Sequence, residues 1–578
     1  MASVIPSSHN TVVNATTSFS THPLHKRLQI PAISSRRYLS SSARKVSCKS
    51  KNNEEHSSLR LDRRDVLIGI GGLYGSTSLS NADPLAMAAP IMPPDLSKCG
   101  PPDLPAGAKP TNCCPPNSSK IIDFKLPPPS SPMRVRQAAH LVNGEYIAKY
   151  SKAIELMKAL PSDDPRCFTQ QANIHCAYCD GAYDQIGFPG LEIEVHSSWL
   201  FFPWHRYYLY FFEKICGKLI NDPTFALPFW NYDSPEGMQI PKIYTNPRSP
   251  LYDELRDPKH QPPTVIDLDY NGVDPNTTPQ QQIESNLFIM YRQMVSNAKT
   301  TQLFLGAPYR AGDQPNPGAG SIESEPHNTV HLWTGDRRQP NRENMGSFYS
   351  AGRDPIFYAH HSNIDRFWTI WKGLGGKRKD YTDPDWLNSG FLFYDENAQL
   401  TRVKIQDSLD EKKLRYRYQE VDLPWLKIRP TPRKARVTPP TAGDSGGQFP
   451  RALDSVVKTV VKRPKKSRNS KEKEEEEEVL VIYGIEFDRN VFVKFDVFIN
   501  EDDETASGPT YSEFAGSFVH VPHKHQMKMK TKTTLRLGIT DLLEDLMAED
   551  DDTVVVTLVP RQGKDVLYIG GLKIEFSS

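Results

Sequence analysis

Two groups of histidines constrain this chain more than any other feature: His175, His196 and His205, then His327, His331, His360 and His361. His327 and His331 are four apart, so on a helix they share one face. Pro326, two residues after Ser324, marks a helix start there. The segment is not His-Glu-x-x-His, so the general base of that hydrolytic zinc motif is missing. A third ligand has to come from His360-His361, and spacing does not choose between them. Asp365, one turn after His361, is placed to orient that helix or an imidazole N–H. His196 and His205 are nine apart and fall on opposite sides of an ideal helix. Pro203 lies between them, so a helix opening at Pro203 is expected to carry His205, with His196 reaching in from the preceding segment. Singly, a histidine such as His175 is usually a hydrogen-bonded structural residue. Two trios in one helical region point instead to two metals. Imidazoles with no evident carboxylate ligand disfavour magnesium and calcium and suit copper, zinc or iron. Three nitrogens per ion leave a coordination position open. Two copper(I) ions so held can pass two electrons to dioxygen, which redox-inert zinc cannot.

The chain divides by texture. Hydrophobic residues are 38% and aromatics 10%, enough for packed cores, and 49 prolines favour long irregular loops. Lys+Arg is 70 against 69 Asp+Glu, so no basic excess makes nucleic acid the default partner. No uninterrupted apolar stretch of about 18 residues marks an integral membrane span. Residues 1–50 hold 16 Ser/Thr, 7 Lys/Arg and no acid, the composition of an organelle transit peptide. Arg63-Arg64-Asp65 then precedes the apolar run Val66–Tyr74, and Ala86-Met87-Ala88 offers a small-x-small cleavage site. Residues 1–88 therefore read as a plastid (chloroplast) transit peptide plus a twin-Arg signal for the thylakoid lumen, with a mature chain from about Ala89. Proline-rich stretches follow. Helical periodicity is expected from Arg134 (Val135, Ala138, Ala139, Leu141, Val142) to about Lys372, including His205–Leu219, Glu284–Ser296 and Phe357–Lys372. Residues 373–430 turn to short runs and turns. Residues 431–478, closing on Glu474–Glu478, read as a charged, flexible, protease-accessible linker. The runs Val479–Tyr483, Val491–Ile499 and Thr553–Val559 are β-branched and aromatic, so 479–578 is expected to be a separate all-β sandwich.

The same residues resemble a known family. His175–Asp180 (HCAYCD), His196–His205 (HSSWLFFPWH), His327–Thr334 (HNTVHLWT) and Asp354–Trp368 (DPIFYAHHSNIDRFW) closely resemble the plant polyphenol oxidases, the catechol oxidase and tyrosinase group. Asp385-Trp386-Leu387, Tyr416-Arg417-Tyr418 and Lys494-Phe495-Asp496-Val497 resemble further motifs of that family, so the likeness covers nearly the whole chain. It implies a mainly α catalytic domain over 89–430, a four-helix bundle holding a type-3 dicopper centre, followed by a jelly-roll-like all-β domain. It implies two copper ions, the first on His175, His196 and His205 and the second on His327, His331 and His361. It further implies disulfides Cys99–Cys114 and Cys113–Cys176 and a thioether between Cys179 and His196, leaving Cys167 and Cys216 as buried, inert thiols.

The activity so implied is oxidation of o-diphenols (catechols) to o-quinones by O2. Metal coordination lowers a phenol's pKa, so little other acid–base machinery is required. Glu323, one turn before His327, matches the family's water-holding glutamate, and Asn328 the asparagine associated with it in deprotonating monophenols. The pair implies some o-hydroxylation of monophenols. Phe348 matches the bulky gate over the first copper. The C-terminal domain is expected to shield the copper entrance, a side chain standing where the substrate ring would go, until a protease or detergent-like trigger displaces it. The rivals are a non-catalytic O2-binding dicopper protein, a dizinc hydrolase and a specialised biosynthetic phenol oxidase.

Overall fold

The computed structural model describes residues 89–432, 448–501, 508–523 and 531–577. The leader expected over 1–88 lies outside them. The helices that position the site are α1 (Gly144–Ala159), α2 (Phe168–Cys179), α3 (Phe201–Leu219), α4 (Pro279–Tyr291), α5 (Asn328–Thr334) and α6 (Ile356–Gly373). The bundle comprises α1, α2, α3 and α6. Asn143 caps α1 by accepting from the Tyr146 N–H, and Pro161 follows its end. Helix α3 is apolar nearly all round because its neighbours cover it on every side; Phe201, Trp204, Tyr208, Phe212 and Ile215 are all buried. It opens at Phe201 rather than Pro203. Proline is tolerated at its third position, where the N–H would have no partner within the helix. The disulfides Cys99–Cys114 and Cys113–Cys176 tie the proline-rich arm to α2. Among the described residues, no helix is long and apolar enough to cross a membrane.

One helical expectation holds with an earlier start and one fails. The helix expected over Glu284–Ser296 begins at Pro279, behind a Thr278–Gln281 capping box, and continues past Tyr291 as a wider helical turn over Arg292–Ser296. The apolar run from Arg134 is not helical: Arg134–Arg136 forms strand β1, parallel to β2 (Tyr416–Tyr418). Charge decides this, since both arginines are buried and need anions. Their Nε atoms donate to Glu213 at 2.6 and 2.8 Å, and Arg136 Nη1 donates to Asp365 at 3.2 Å. Asp365 also accepts from Arg206 Nε at 2.5 Å and from the Tyr416 and Tyr418 hydroxyls. It therefore binds α3, α6 and both strands together and orients no imidazole.

The C-terminal unit is a sandwich of two antiparallel sheets. One contains β3 (Val457–Lys462), β5 (Val493–Ile499), β6 (Phe514–His520) and β8 (Thr553–Gln562), in the order β6-β5-β8-β3; the other is centred on β4 (Glu477–Phe487), flanked by β7 (Thr531–Gly538) and β9 (Gly571–Ser577). The linker expected over 431–478 is thus shorter. Its described part supplies β3, which pairs with β8, and a capped helical turn over Ser470–Glu475. Arg463 binds Glu478 at 2.8 Å, so one acid of the run is a buried anion rather than a solvated charge.

Period-two alternation in β5 explains its motif. Phe495, Val497 and Ile499 enter the sandwich core, while Lys494, Asp496 and Phe498 face the helical domain. There Lys494 Nζ donates to Asp269 Oδ1 at 2.5 Å and to Asn271 Oδ1 at 2.7 Å. Phe498, Phe514, Val519 and Val521 join the core of the helical domain, so the two units share apolar as well as ionic contacts.

Replacing Asp365 by alanine strands Arg206 in the interior and leaves Arg136 with Glu213 alone as its carboxylate partner. The expected loss is about 3–5 kcal/mol, read as a large fall in thermal midpoint, with Asp365→Asn losing less.

Candidate dinuclear metal site

Each trio of histidines converges. The nitrogens of His175, His196 and His205 lie within 4.8 Å of one another, as do those of His327, His331, His360 and His361. His175 comes from α2, His205 from the first turns of α3, His196 from the loop before it, and His361 from α6. His327 has helical angles and immediately precedes α5, which carries His331. All are buried. His260, between the groups in sequence, is excluded; it stacks on Trp333 at 4.2 Å and bonds Asp274.

Five of the six rings share one protonation pattern, and His361 Nδ1 has no hydrogen-bond partner among the described residues. Nδ1 of His175, His205 and His331 lies 2.8, 2.8 and 2.7 Å from the carbonyls of Phe348, Phe201 and Met345. His327 Nδ1 meets Asn328 Oδ1 at 3.0 Å, and His196 Nδ1 meets Glu194 Oε1 at 3.0 Å. A carbonyl or carboxylate oxygen only accepts, so each of these five Nδ1 atoms carries the hydrogen and Nε2 keeps its lone pair. Nε2 of His175, His196, His205 and His327 is buried with no hydrogen-bond partner among the described residues. His331 Nε2 and His361 Nε2 face each other at 3.2 Å. Orphaned, inward-facing lone pairs of this kind fit a cation, and an all-imidazole set fits copper. His361 reaches both trios, its ring stacked on His205 at 4.2 Å and 4.9 Å from His327. His360 instead lies between His327 and Tyr232.

The other expected residues surround these rings. Phe348 stacks on His196 at 4.2 Å. Glu323 accepts the Ser197 N–H through Oε1, while Oε2 is buried without a partner among the described residues. Burial holds its carboxyl well above the usual range. Asn328 Nδ2 donates to the Val519 carbonyl of the C-terminal unit at 2.8 Å. Cys179 Sγ lies within 4.8 Å of a His196 nitrogen and a Glu194 oxygen. Cys167 and Cys216 are free and buried.

Sequence reasoning missed Glu194 and the groups that close the site. Its signal was Glu-x-His on an extended segment, where residues two apart share a side. The cleft over the rings is bounded by Glu323, Asn328, Phe348, Val519, Val521 and His523, and its free volume is about 20 Å³. That admits a single water and no phenol ring. His523 stacks on Phe348 at 5.2 Å.

Comparisons agree with this geometry. A model of the common central domain of tyrosinase matches residues 165–374, a polyphenol oxidase middle-domain model 380–431, and a chloroplastic polyphenol oxidase C-terminal-domain model 449–576. The chain is 63% identical over 555 residues to a chloroplastic polyphenol oxidase of Malus domestica, covering 93% of each chain. It is 57% identical to aureusidin synthase of Antirrhinum majus, over 92% of this chain and 98% of the other. Its fold is similar to that of latent apple tyrosinase, with TM-score 0.76 and 65% identity, over 79% of this chain and 100% of that one.

Opposing titrations set the pH response of the metal-free protein. Burial lowers His175 to about 3 and His331 to about 4, from an ordinary 6.5. Burial, then Glu192, raises Glu194 to about 8, from 4.5. From pH 8 toward 6.5 the folded state takes up the Glu194 proton first, so stability rises as pH falls. Below about 4.5 the unfolded histidines are protonated while the folded ones stay neutral, so stability falls toward pH 3. Thermal midpoints across this range are expected to pass through a maximum; a midpoint still rising from pH 4.5 to 3 would contradict it.

Proposed function

The chain belongs to the plant polyphenol oxidase family, and on that premise we propose that it is a latent copper enzyme oxidising catechols to o-quinones, two catechols and one O2 giving two quinones and two waters. The observation that carries this is the pair of converging imidazole sets, in which five Nδ1 atoms face acceptors and the Nε2 atoms of His175, His196, His205 and His327 are unpartnered among the described residues. Copper, one ion on His175, His196 and His205 and one on His327, His331 and His361, supplies the redox couple between phenol and dioxygen. The position of His361 between the trios supports its choice over His360.

The chain's own groups do the rest. Backbone carbonyls, Glu194 and Asn328 orient five of the six imidazoles before any ion arrives, so those ligands need little reorganisation. A thioether from Cys179 would further restrain His196. Phe348 gives the substrate ring an aromatic face. Glu323 Oε2 and Asn328 hold a water that takes the proton of a monophenol, which supports o-hydroxylation alongside catechol oxidation. Val519, Val521 and His523 occupy the substrate's place, and Asn328 is engaged by Val519 until the C-terminal domain leaves. The catalytic domain over 89–430 is thereby kept latent, and the trigger is a cut in the chain after residue 432 or a detergent-like agent. The leader and the chloroplastic names of relatives support a plastid address, with the thylakoid lumen as the finer reading. Likeness to aureusidin synthase supports a second reading, a biosynthetic oxidase of narrow substrate range.

Oxygen uptake by copper-loaded protein on mono- and diphenols tests this. Catechol turnover is expected to rise at least about tenfold after cleavage and domain release. No catechol oxidation after release removes the function, and equal turnover before and after removes the latency. Glu323→Gln is expected to cost monophenol oxidation about a hundredfold while catechol oxidation changes little, read as the ratio of the two rates in one preparation.

A further inference from the structure

We propose that Asn316 is a specificity-determining residue of the substrate cleft, its carboxamide donating a hydrogen bond to a carbonyl oxygen in the tail of a 4-substituted catechol. The proposal rests on the catechol oxidase reading and names its substrate class, a neutral catechol with an acyl tail such as an ester. Asn316 lines the cleft over the metal site together with Glu323, Asn328 and Phe348. It is 5% exposed, and its Nδ2 is buried with no hydrogen-bond partner among the described residues. A buried amide left in that state costs free energy and calls for a reason. The backbone of the same residue carries a second cost. Its φ is +65°, in the left-handed region that residues other than glycine seldom occupy, although asparagine tolerates it better than most. Two unfavourable features on one cleft residue point to a role in what the cleft binds.

The segment around Asn316 is built to hold it there. The Gly318 N–H donates to the Ser197 carbonyl at 2.9 Å, and the Gly318 carbonyl accepts from the Ala307 N–H at 2.9 Å. Gly320 packs so closely that a Cβ would stand 1.9 Å from the Phe304 carbonyl oxygen. Ser197 directly follows His196, and its N–H donates to Glu323, so the wall carrying Asn316 is tied to the metal site. Docking of the C-terminal domain does not account for the amide. Asn297 and Asn328, also on the seam, donate through Nδ2 to the carbonyls of Ala515 and Val519, each at 2.8 Å. Asn316 is covered by the same domain, with Thr533, Thr534 and Leu535 of β7 in the cleft lining, yet its Nδ2 donates to none of them. Departure of that domain opens the amide to the space beside Phe348, the aromatic face for the substrate ring. An N–H donor matches a carbonyl oxygen and not an ammonium. Among the described residues that line the cleft none is a lysine or arginine, so a carboxylate tail enters without a counter-charge, and a neutral acyl group is the better match.

The test uses the full chain, copper-loaded and then activated, at pH 6.5. Its substrates are methyl 3,4-dihydroxyphenylacetate and 4-butylcatechol, whose tails are equally long but only the first of which bears a carbonyl. Asn316→Gly suits the left-handed backbone and removes the amide. It is expected to lower the ester-to-butyl ratio of kcat/KM by at least about threefold, the scale of one neutral hydrogen bond, with the change carried by KM. Asn316→Asp keeps the shape but presents a carboxylate that only accepts, and is expected to lower the ratio at least as far. Each ratio is taken within one preparation, so loss of folded enzyme cancels. A smaller fall in either variant, or a fall carried by kcat, overturns the proposal alone. Failure of the unsubstituted chain to oxidise both catechols overturns the catechol oxidase reading beneath it.

Discussion

The structure depends on keeping six imidazoles neutral and aimed inward within a dry interior. Burial alone would lower their pKa values but leave the rings free to turn. For five of the six the partner of Nδ1 removes that freedom; His361, whose Nδ1 has no hydrogen-bond partner among the described residues, is held by ring packing on His205 and Phe357. Three of these partners are main-chain carbonyls, of Phe348, Phe201 and Met345, so the ring orientations are written into the backbone of the Phe348 segment, the first turn of α3 and the segment after α5. His196 is different, because it precedes α3 and has no helix to hold it. A carboxylate two residues earlier does so instead. Carboxylate support costs a buried charge, and this explains why Glu194 sits with its carboxyl raised rather than freely ionised.

The same economy of buried charge organises the rest. Asp365 and Glu213 are each surrounded by arginines and satisfy the ends of β1 and β2. Lys494 is fully buried among Asp269, Asn271 and Asp496, where one face of a strand meets a different domain. Strands β5 and β6 are buried along their whole length because one face packs in the sandwich and the other on the helices. That double burial gives them a largely hydrophobic texture broken by Lys494, Asp496, Ser517 and His520.

Much of this was legible in residues. The i, i+4 pair His327/His331 and the helix start beside Pro203, two residues early at Phe201, reported local geometry, and local geometry is what spacing encodes. The choice between His360 and His361 was not legible, because adjacent residues on α6 differ by about 100° in direction and only the position of α3 decides which ring meets His205. The helix read from Arg134 failed for a related reason. Its apolar period was genuine, yet the two arginines needed Glu213 and Asp365, which lie 77 and 229 residues from Arg136. The acidic run Glu474–Glu478 misled in the opposite sense, since composition could not reveal that Arg463 awaited Glu478.

Strands β1 and β2 lie side by side, although residues 134–136 and 416–418 come from opposite ends of the helical domain. The domain is therefore closed on itself by its own entrance and exit. A nick downstream of Tyr418 opens no loop of that ring, and the helices keep their seats. One a few residues upstream would detach a partner of Asp365 and free both ends at once. The pairing of β1 with β2 thus sets a short boundary along the chain, with the closed ring of the helical domain on its near side.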